Sequence, residues 1–321
     1  MQLSICMIGR NQAAMLPRIK ESFKALDIFD ISYETIYVDS ASSDNTAEEA
    51  REYFDKVVVL EDSPDLNASA GRYIGTLQSS GDWILYLDGD MLISEEFIKS
   101  AEEHILHGNP NEGIVGKYRN VFIQNGTKEN LLGYKNEGSI VKQFGGASMQ
   151  PKHAVLQAGN WNPRLFCWEE LDLHTRLRQI GFETRYNGIQ MLDHITIWYS
   201  KLTILRSCFI PYKSIFGKKF YGFGQLIASR IKNKNLMSLV KYYPYPFVYF
   251  LFLFACLLSL VFGEFNTAAF LFGLAIIYVI TTKNIYYIAT YSSFLIQGLL
   301  GYNKYNPSYI PIIKEIWTKT E

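Results

Sequence analysis

Two carboxylates separated by one glycine, Asp88-Gly89-Asp90, close the apolar run Trp83-Ile84-Leu85-Tyr86-Leu87. A run of that length and composition suits a strand buried on both faces, and open α/β sheets bind their ligands beyond the ends of such strands. Two anionic groups at one sheet edge call for a counter-cation. A hard divalent ion, Mg²⁺ or Mn²⁺, accepts carboxylate oxygens and keeps positions for phosphate oxygens, so a metal-bridged diphosphate is the ligand that fits. Taken alone, the tripeptide also reads as a polar turn, since Asp and Gly are common turn formers.

Other chemistry-bearing residues fall at similar places. Asp39 ends the apolar stretch Ile36-Tyr37-Val38, where its carboxylate could accept an N–H from a base or hydroxyls from a ribose; a turn role for Asp39 and a cap role for Asp44 are the plainer readings. Arg72 lies in the following helical stretch, where it is either a bidentate fork for a diphosphate or part of a solvated face. Glu169-Glu170 opens a helix, and a carboxylate at such a point is held firmly enough to take the proton of an attacking hydroxyl.

The elements that must position these residues alternate along the first 110 residues as βα units do. Strands are expected at Leu3 to Ile8, Thr35 to Val38, Val57 to Leu60 and Trp83 to Leu87, and helices at Pro17 to Leu26, Asn45 to Phe54 and Ala68 to Gln78. Ser42, Ser43 and Asp44 are the expected caps of the second helix. No repeat or low-complexity linker interrupts the first 200 residues, which read as one α/β domain with its own core.

In this order and at these intervals, Arg10-Asn11, VDSASSDNT (Val38 to Thr46), AGRYIG (Ala70 to Gly75) and YLDGD (Tyr86 to Asp90) resemble the family 2 nucleotide-sugar glycosyltransferases. FGGASMQPKHAVLQAGNWNP (Phe144 to Pro163) and WEELDLHTRLRQIGF (Trp168 to Phe182) resemble that family's acceptor region and its Glu-Asp motif. The resemblance implies a GT-A fold, a mixed sheet flanked by helices, over residues 1–200. It implies donor-binding roles for Asp39, Arg72, Asp88 and Arg10, with Asp39 on the base, Arg72 on the nucleotide and Asp88 at the ribose and metal region. Asp90 would be the direct ligand of Mn²⁺ or Mg²⁺, with Asp88 beside it and His194 completing the shell or contacting phosphate. Glu170 stands where the family has its catalytic aspartate and Glu169 where it has the preceding glutamate. The longer Glu side chain leaves the base open between Glu169 and Glu170. One base, one metal and no protein nucleophile imply single displacement with inversion, and the donor is expected to be a UDP-sugar.

The second part of the chain differs in kind. The whole carries 31 basic and 31 acidic residues, but residues 201–321 hold 13 Lys and Arg against 3 Glu and no Asp. No nucleic-acid-binding module accompanies these cations, so a nucleic-acid partner is not expected. Between Lys201 and Lys241 lie nine basic and no acidic residues, interleaved with Ile204, Leu205, Phe209, Ile210 and other apolar side chains; such a segment suits the headgroup layer of an anionic membrane. PFVYFLFLFACLLSLVF (Pro246 to Phe262) and NTAAFLFGLAIIYVITT (Asn266 to Thr282) are uncharged and near the lower end of the roughly 17 to 25 residues that span a bilayer. They read as a transmembrane helical hairpin. The positive-inside tendency then places the catalytic part in the cytoplasm at the inner (plasma) membrane. A third uncharged stretch, Ile285 to Tyr302, could span, re-enter or lie flat. The expected division is 1–200 catalytic domain, 201–243 interface connector, 244–303 membrane region and 304–321 tail.

The Gln-X-X-Arg-Trp motif of processive synthases is absent, Gln225 to Arg230 having other spacing and no Trp, so one sugar per visit is expected. The layout is similar to exopolysaccharide transferases of the succinoglycan type, which implies a polyprenyl-diphosphate-linked saccharide as acceptor. MQLSICMIGRN reads as a strand and not as a signal peptide. Cys6, Cys167, Cys208 and Cys256 form no Cys-X-X-Cys pair, and the sequons at Asn67 and Asn125 are read as chance matches. Two other classes stay open: a phosphatase-like hydrolase using Asp88 as nucleophile, and a non-enzymatic transporter or scaffold, which would leave the strand-end carboxylates without a joint purpose.

Overall fold

The first apolar run of the sequence becomes the centre of a ten-stranded sheet. β1 (Leu3–Gly9) is paired in parallel with β2 (Tyr33–Asp39) on one side and β4 (Trp83–Asp88) on the other, and is buried from Leu3 to Ile8. The structure is a computed structural model that describes residues 2–122, 126–130, 136–141, 144–197, 215–283 and 286–319. β3 (Lys56–Leu60) continues the parallel half beyond β2. Past β4 the sheet turns mixed: β8 (Ser148–Pro151) runs antiparallel to β4, followed by β6 (Glu112–Phe122), β9 (Glu183–Thr196) and the short β5 (Met91–Ile93), with β7 (Gly126–Asn130) paired to β6. Register does the positioning. Gly9 lies opposite Asp39 and Ile8 opposite Asp88, so two of the chemistry-bearing carboxylates end at one level on either side of β1.

Helix extents differ from the periodicity in two places. α1 (Leu16–Phe23) stops early and passes into a tighter turn over Lys24–Ile28. α2 (Thr46–Ala50) covers only the first half of the expected stretch; Arg51, Glu52 and Tyr53 bond three residues back, and this tightening delivers Phe54 into the core against Phe23 and Tyr37. α3 (Ala68–Gln78) forms over the expected residues, capped by the Asn67 side chain, which accepts the Ala70 N–H at 3.0 Å. Gly75 lets this helix lie directly on β1, because a Cβ there would come within 2.1 Å of Cys6 Sγ. That close approach carries Arg72 to the sheet edge. α4 (Glu95–His107), α5 (Lys152–Gln157) and α6 (Glu169–Gln179) complete this unit.

The chain divides into residues 1–198 with 306–321, and residues 199–305. Residues 306–321, expected as a tail, fall in the first of these units. β10 (Ile313–Thr318) adds an antiparallel edge strand to β3, and Arg51 Nη2 meets Glu315 at 2.6 Å. The edge of β3, rich in valine, gains a backbone partner in this way.

In the second unit, α7 (Ile215–Lys232) and α8 (Leu236–Tyr242) make up the described part of the expected connector; residues 201–214, including Ile204, Leu205, Phe209 and Ile210, lie outside the described residues. α9 (Tyr245–Val261) and α10 (Phe265–Thr282) pack on one another through a turn at Gly263, and α8 meets α9 at 103°. Among the described residues α10 is the one helix long and apolar enough to cross a membrane alone, while α9 meets that test only together with α8. α11 (Tyr286–Asn303) packs against α7 at glycines: a Cβ on Gly224 would sit 1.8 Å from the Gly298 carbonyl oxygen. Gln225, Ser229, Ser293 and Gln297 are buried within these two helices, which accounts for the more polar character of the third uncharged stretch.

Deleting residues 313–319 should uncover the β3 edge. If the loss is about 2 kcal/mol, the melting temperature falls by roughly 4–8 °C, with concentration-dependent light scattering on heating. An unchanged melting curve and solubility would show that β10 does not protect the sheet.

Candidate active site

The loops after β1 and β2 are laced together. The Asn11 N–H donates to Ser42 Oγ and Asn11 Oδ1 accepts the Ser43 N–H, both at 2.8 Å, while the Gln12 N–H donates to Thr46 Oγ1 at 2.7 Å. Asn11 and Ala41 each adopt φ 56°, a left-handed conformation that non-glycine residues hold only when neighbours enforce it. Asp39 is the enforcing group on the β2 side. It is 1 % exposed, and its carboxylate accepts both the N–H and the hydroxyl of Ser42. Burial raises its carboxyl above the usual range, with the Ser42 bonds opposing. Expected as a free acceptor for a base, Asp39 thus first organises its own loop. Ser42 and Ser43 bond Asp39 and Asn11 and do not cap α2, whose N-cap position is held by Asn45 without a side-chain bond. Asp44 holds the N–H and hydroxyl of Thr46, and that hydroxyl bond lowers its carboxyl. The contributions of Asn11, Gln12, Ser42 and Thr46 depend on pairing between distant loops, which no local pattern encodes.

Arg10, at the end of β1, is 48 % exposed on its side chain and lies 3.4 Å from the still more exposed Asp62. So loose a surface pair is worth little, so the guanidinium can turn to an incoming anion. Arg72 stands in the opposite situation. It is 1 % exposed, with Nη2 on Asp88 Oδ1 at 2.6 Å and on the Gly146 carbonyl at 3.4 Å, Nη1 on Glu169 Oε1 at 3.0 Å, and its guanidinium 5.0 Å from the Trp161 ring centre. The fork expected for a diphosphate is turned to Asp88 and Glu169, with both Nη groups engaged beneath the surface. Asp88, correspondingly, turns one oxygen inward to Arg72.

α6 starts immediately after Trp168, whose φ of 70° is left-handed and which supplies no side-chain cap. The two glutamates that follow have different surroundings. Glu169 is 5 % exposed and engaged by Arg72. Glu170 is partly exposed, and its carboxyl is pushed up to about 8 by burial and by the charge of Glu169, with Arg72 opposing. One is an ion-pair partner and the other a carboxylate able to take a proton near neutral pH. Further along, Arg176 bonds Asp172 Oδ2 at 2.6 Å and the Ala158 and Asn160 carbonyls, which fastens α6 to the loop ahead of Trp161. His174 is buried on the edge of Phe144, and desolvation lowers its imidazole to about 3, so it is neutral.

At the far side of Gly89, pairing of Met91 with His194 between β5 and β9 brings His194 Nε2 to 3.4 Å from Asp90 Oδ2. Asn120 Oδ1 lies 2.9 Å from His194 Nδ1, which orients the ring. Burial lowers the His194 imidazole, but Asp90 more than offsets this, for a net rise. Asp90 Oδ1 is buried without a hydrogen-bond partner. An orphaned carboxylate oxygen beside an oriented imidazole fits a hard divalent cation, and imidazole favours Mn²⁺ over Mg²⁺. Of the three expected ligands, Asp88 has its Oδ1 on Arg72, and among the described residues no group of three or more His, Cys, Asp or Glu side chains is arranged to hold a metal. Two protein ligands plus substrate phosphates are a common arrangement for such ions.

Residues 4–164 match the sequence model of the family described as Glycosyl transferase family 2. Among curated relatives, a TPR repeat-containing protein of Synechococcus elongatus is 37 % identical over 100 residues, 31 % of this chain and 22 % of its own length. The chain thus spans about a fifth of that protein. An uncharacterized glycosyltransferase of Haemophilus influenzae is 29 % identical over 210 residues, covering 60 % of this chain and 68 % of the relative. Among solved structures, S. aureus TarS 1-349 in complex with UDP-GlcNAc is similar with a TM-score of 0.56 at 14 % identity, over 94 % of this chain and 89 % of that one. GalNAc-T7 with UDP, GalNAc and Mn²⁺ is similar with a TM-score of 0.51 at 15 % identity, over 75 % and 54 %. At these identities the two structures bear on the fold alone.

Gly146→Ala tests the geometry around Arg72, because the new Cβ would lie 2.1 Å from Asp88 Oδ2 and 3.0 Å from Arg72 Nη2. Forced displacement of the pair should cost about 1–3 kcal/mol of stability, read from denaturant unfolding. A neutral result would mean that the Asp88 carboxylate has room to turn away.

Proposed function

The chain belongs to glycosyl transferase family 2, and on that premise we propose that it transfers one sugar from a UDP-sugar to a hydroxyl of a lipid-linked, polyprenyl-diphosphate saccharide, with inversion and with Mn²⁺ or Mg²⁺. The observation that carries this reading is the contrast between two acidic centres: Asp90 with His194, suited to a cation, and Glu170, suited to a proton. Similar folds bound to UDP and UDP-GlcNAc, and one bound to UDP with Mn²⁺, favour the same donor class and metal.

In this mechanism Glu170 accepts the proton of the acceptor hydroxyl as its oxygen attacks the anomeric carbon, and the bond from that carbon to the diphosphate breaks. Asp88 and Glu169 each give one carboxylate oxygen to Arg72, which draws off charge and makes them weaker nucleophiles, and this favours single displacement. Asp90 and His194 would hold the cation, which when bound neutralises charge gathering on the leaving diphosphate. Arg10 stands ready to add a further positive charge at the same edge.

The membrane part of the reading is supported by side chains on α9 and α10. Leu251, Phe254, Val261, Phe265 and Phe270 are exposed, an apolar surface of the kind lipid covers. Lys283 Nζ sits 4.1 Å above the Tyr245 ring and 5.9 Å from that of Tyr287, a pairing of cation and aromatic typical of the headgroup level. With nine cations ahead of the hairpin, the catalytic unit belongs on the cytoplasmic side of the plasma membrane, in cell-surface polysaccharide synthesis.

Incubating membranes that contain the protein with a panel of nucleotide sugars and Mn²⁺ should release nucleoside diphosphate from a UDP-sugar; release from none, or phosphate released without sugar dependence, would defeat the reading. Asp90→Ala should remove Mn²⁺-dependent UDP binding in calorimetry, and Asn120→Ala, which frees the His194 ring, should weaken it by about 10- to 100-fold. Glu170→Gln should keep donor binding while transfer falls by roughly 10² to 10⁴. Because the base must be unprotonated, kcat/KM should rise with pH through a midpoint near 8; a profile flat from pH 6 to 9 would exclude Glu170. Washing with high salt should leave the full chain in the membrane fraction, and release by salt alone would rule out an inserted hairpin.

A further inference from the structure

We propose that Arg72 and Glu169 are a positioning pair that fixes the start of α6 and, through it, the place and charge surroundings of Glu170. The proposal rests on the reading of Glu170 as proton acceptor. Its geometric basis is independent of that reading.

A helix whose first turn carries three acids, Glu169, Glu170 and Asp172, gains from its macrodipole but still needs an anchored entry. The N-cap position is Trp168, left-handed at φ 70° and with no side-chain capping bond. A bulky residue holds that conformation only when its surroundings enforce it. The first helical residue is tied down, with Glu169 Oε1 3.0 Å from Arg72 Nη1.

Arg72 is a suitable anchor because it is itself immobile. Its helix lies against β1 at Gly71 and Gly75, its second Nη group is 2.6 Å from Asp88 at the end of β4, and its guanidinium lies over Trp161. Contacts therefore run without a break from the central strand to the residue before Glu170. A planar five-donor fork holds two carboxylates in a fixed mutual geometry, whereas an ammonium on a flexible stem is a point charge that does not.

The same pair sets the field at Glu170. The charged groups that act on it are Glu169 on its own helix, Arg72 on α3 and Asp88 at the end of β4. One cation against two anions leaves a net negative charge there, which favours a carboxyl that retains an accepted proton. Removing the charge of Glu169 must lower the proton affinity of Glu170, while a change at Arg72 that keeps its charge must disturb position more than affinity.

The test compares Arg72→Lys and Glu169→Gln with the unmodified full chain in detergent, using two readouts that need no substrate. Amide hydrogen exchange across residues 168–174 should speed up by about tenfold or more in Arg72→Lys, the mark of a loosened helix entry. Coupling of glycine ethyl ester to Glu170 by a water-soluble carbodiimide, which requires the protonated carboxyl, should show a pH midpoint about one unit lower in Glu169→Gln. Wild-type exchange in a folded Arg72→Lys together with an unmoved midpoint in Glu169→Gln would overturn the proposal. Should Arg72→Lys fail to fold, the Glu169→Gln midpoint decides it. Retention of transfer by Glu170→Gln would instead refute the choice of base, and the exchange result would still show whether Arg72 holds α6.

Discussion

A guanidinium with 1 % of its surface exposed persists only where anions surround it, and at Arg72 this requirement gathers the site. Asp88 and Glu169 come from segments 81 residues apart in sequence, and each is turned inward by the same side chain. Gly146 gives the Asp88 carboxylate its space, Trp161 covers the guanidinium face, and α3 can bring Arg72 to the sheet edge because Gly75 allows it to lie on Cys6. With Asp88 and Glu169 engaged in that cluster, Asp90 and Glu170 are the members of the two acidic pairs left for chemistry. Each pair, Asp88 with Asp90 and Glu169 with Glu170, divides into one residue held by Arg72 and one that is not.

Much of the parallel half of the fold was legible because it is local. The apolar runs at β1, β3 and β4 name their own strands, and the helical stretch from Ala68 to Gln78 names α3. The roles of Arg72 and Asp39 were legible only in part. Residue type and position relative to a strand end mark a charged group as useful, but whether it faces a ligand or a neighbour depends on which distant segment packs over it. Arg72 was covered by α6 and Asp39 was engaged by Ser42, and neither contact leaves a trace in local spacing. The division of labour between Glu169 and Glu170 was hidden for the same reason, since adjacent and identical side chains differ only in what surrounds them.

The second unit shows the same limit on a larger scale. Hydropathy picked out α9 and α10, whose apolar surfaces point outward, but could not place Ile285 to Tyr302. The answer lay in steric detail: glycines at 224, 298 and 301 let α7 and α11 approach until backbone meets backbone, with glutamine and serine buried along the contact. Small residues and paired polar groups hold helices together where burial of apolar area alone gives little preference.

β10 carries a consequence for the order in which the protein is made. The strand that closes the β3 edge follows the whole second unit in the chain, so throughout synthesis of α7 to α11 the half-built sheet presents Val57, Val58 and Val59 with an open row of backbone donors and acceptors. Until β10 is made, that valine-rich edge is a template on which another extended chain can pair.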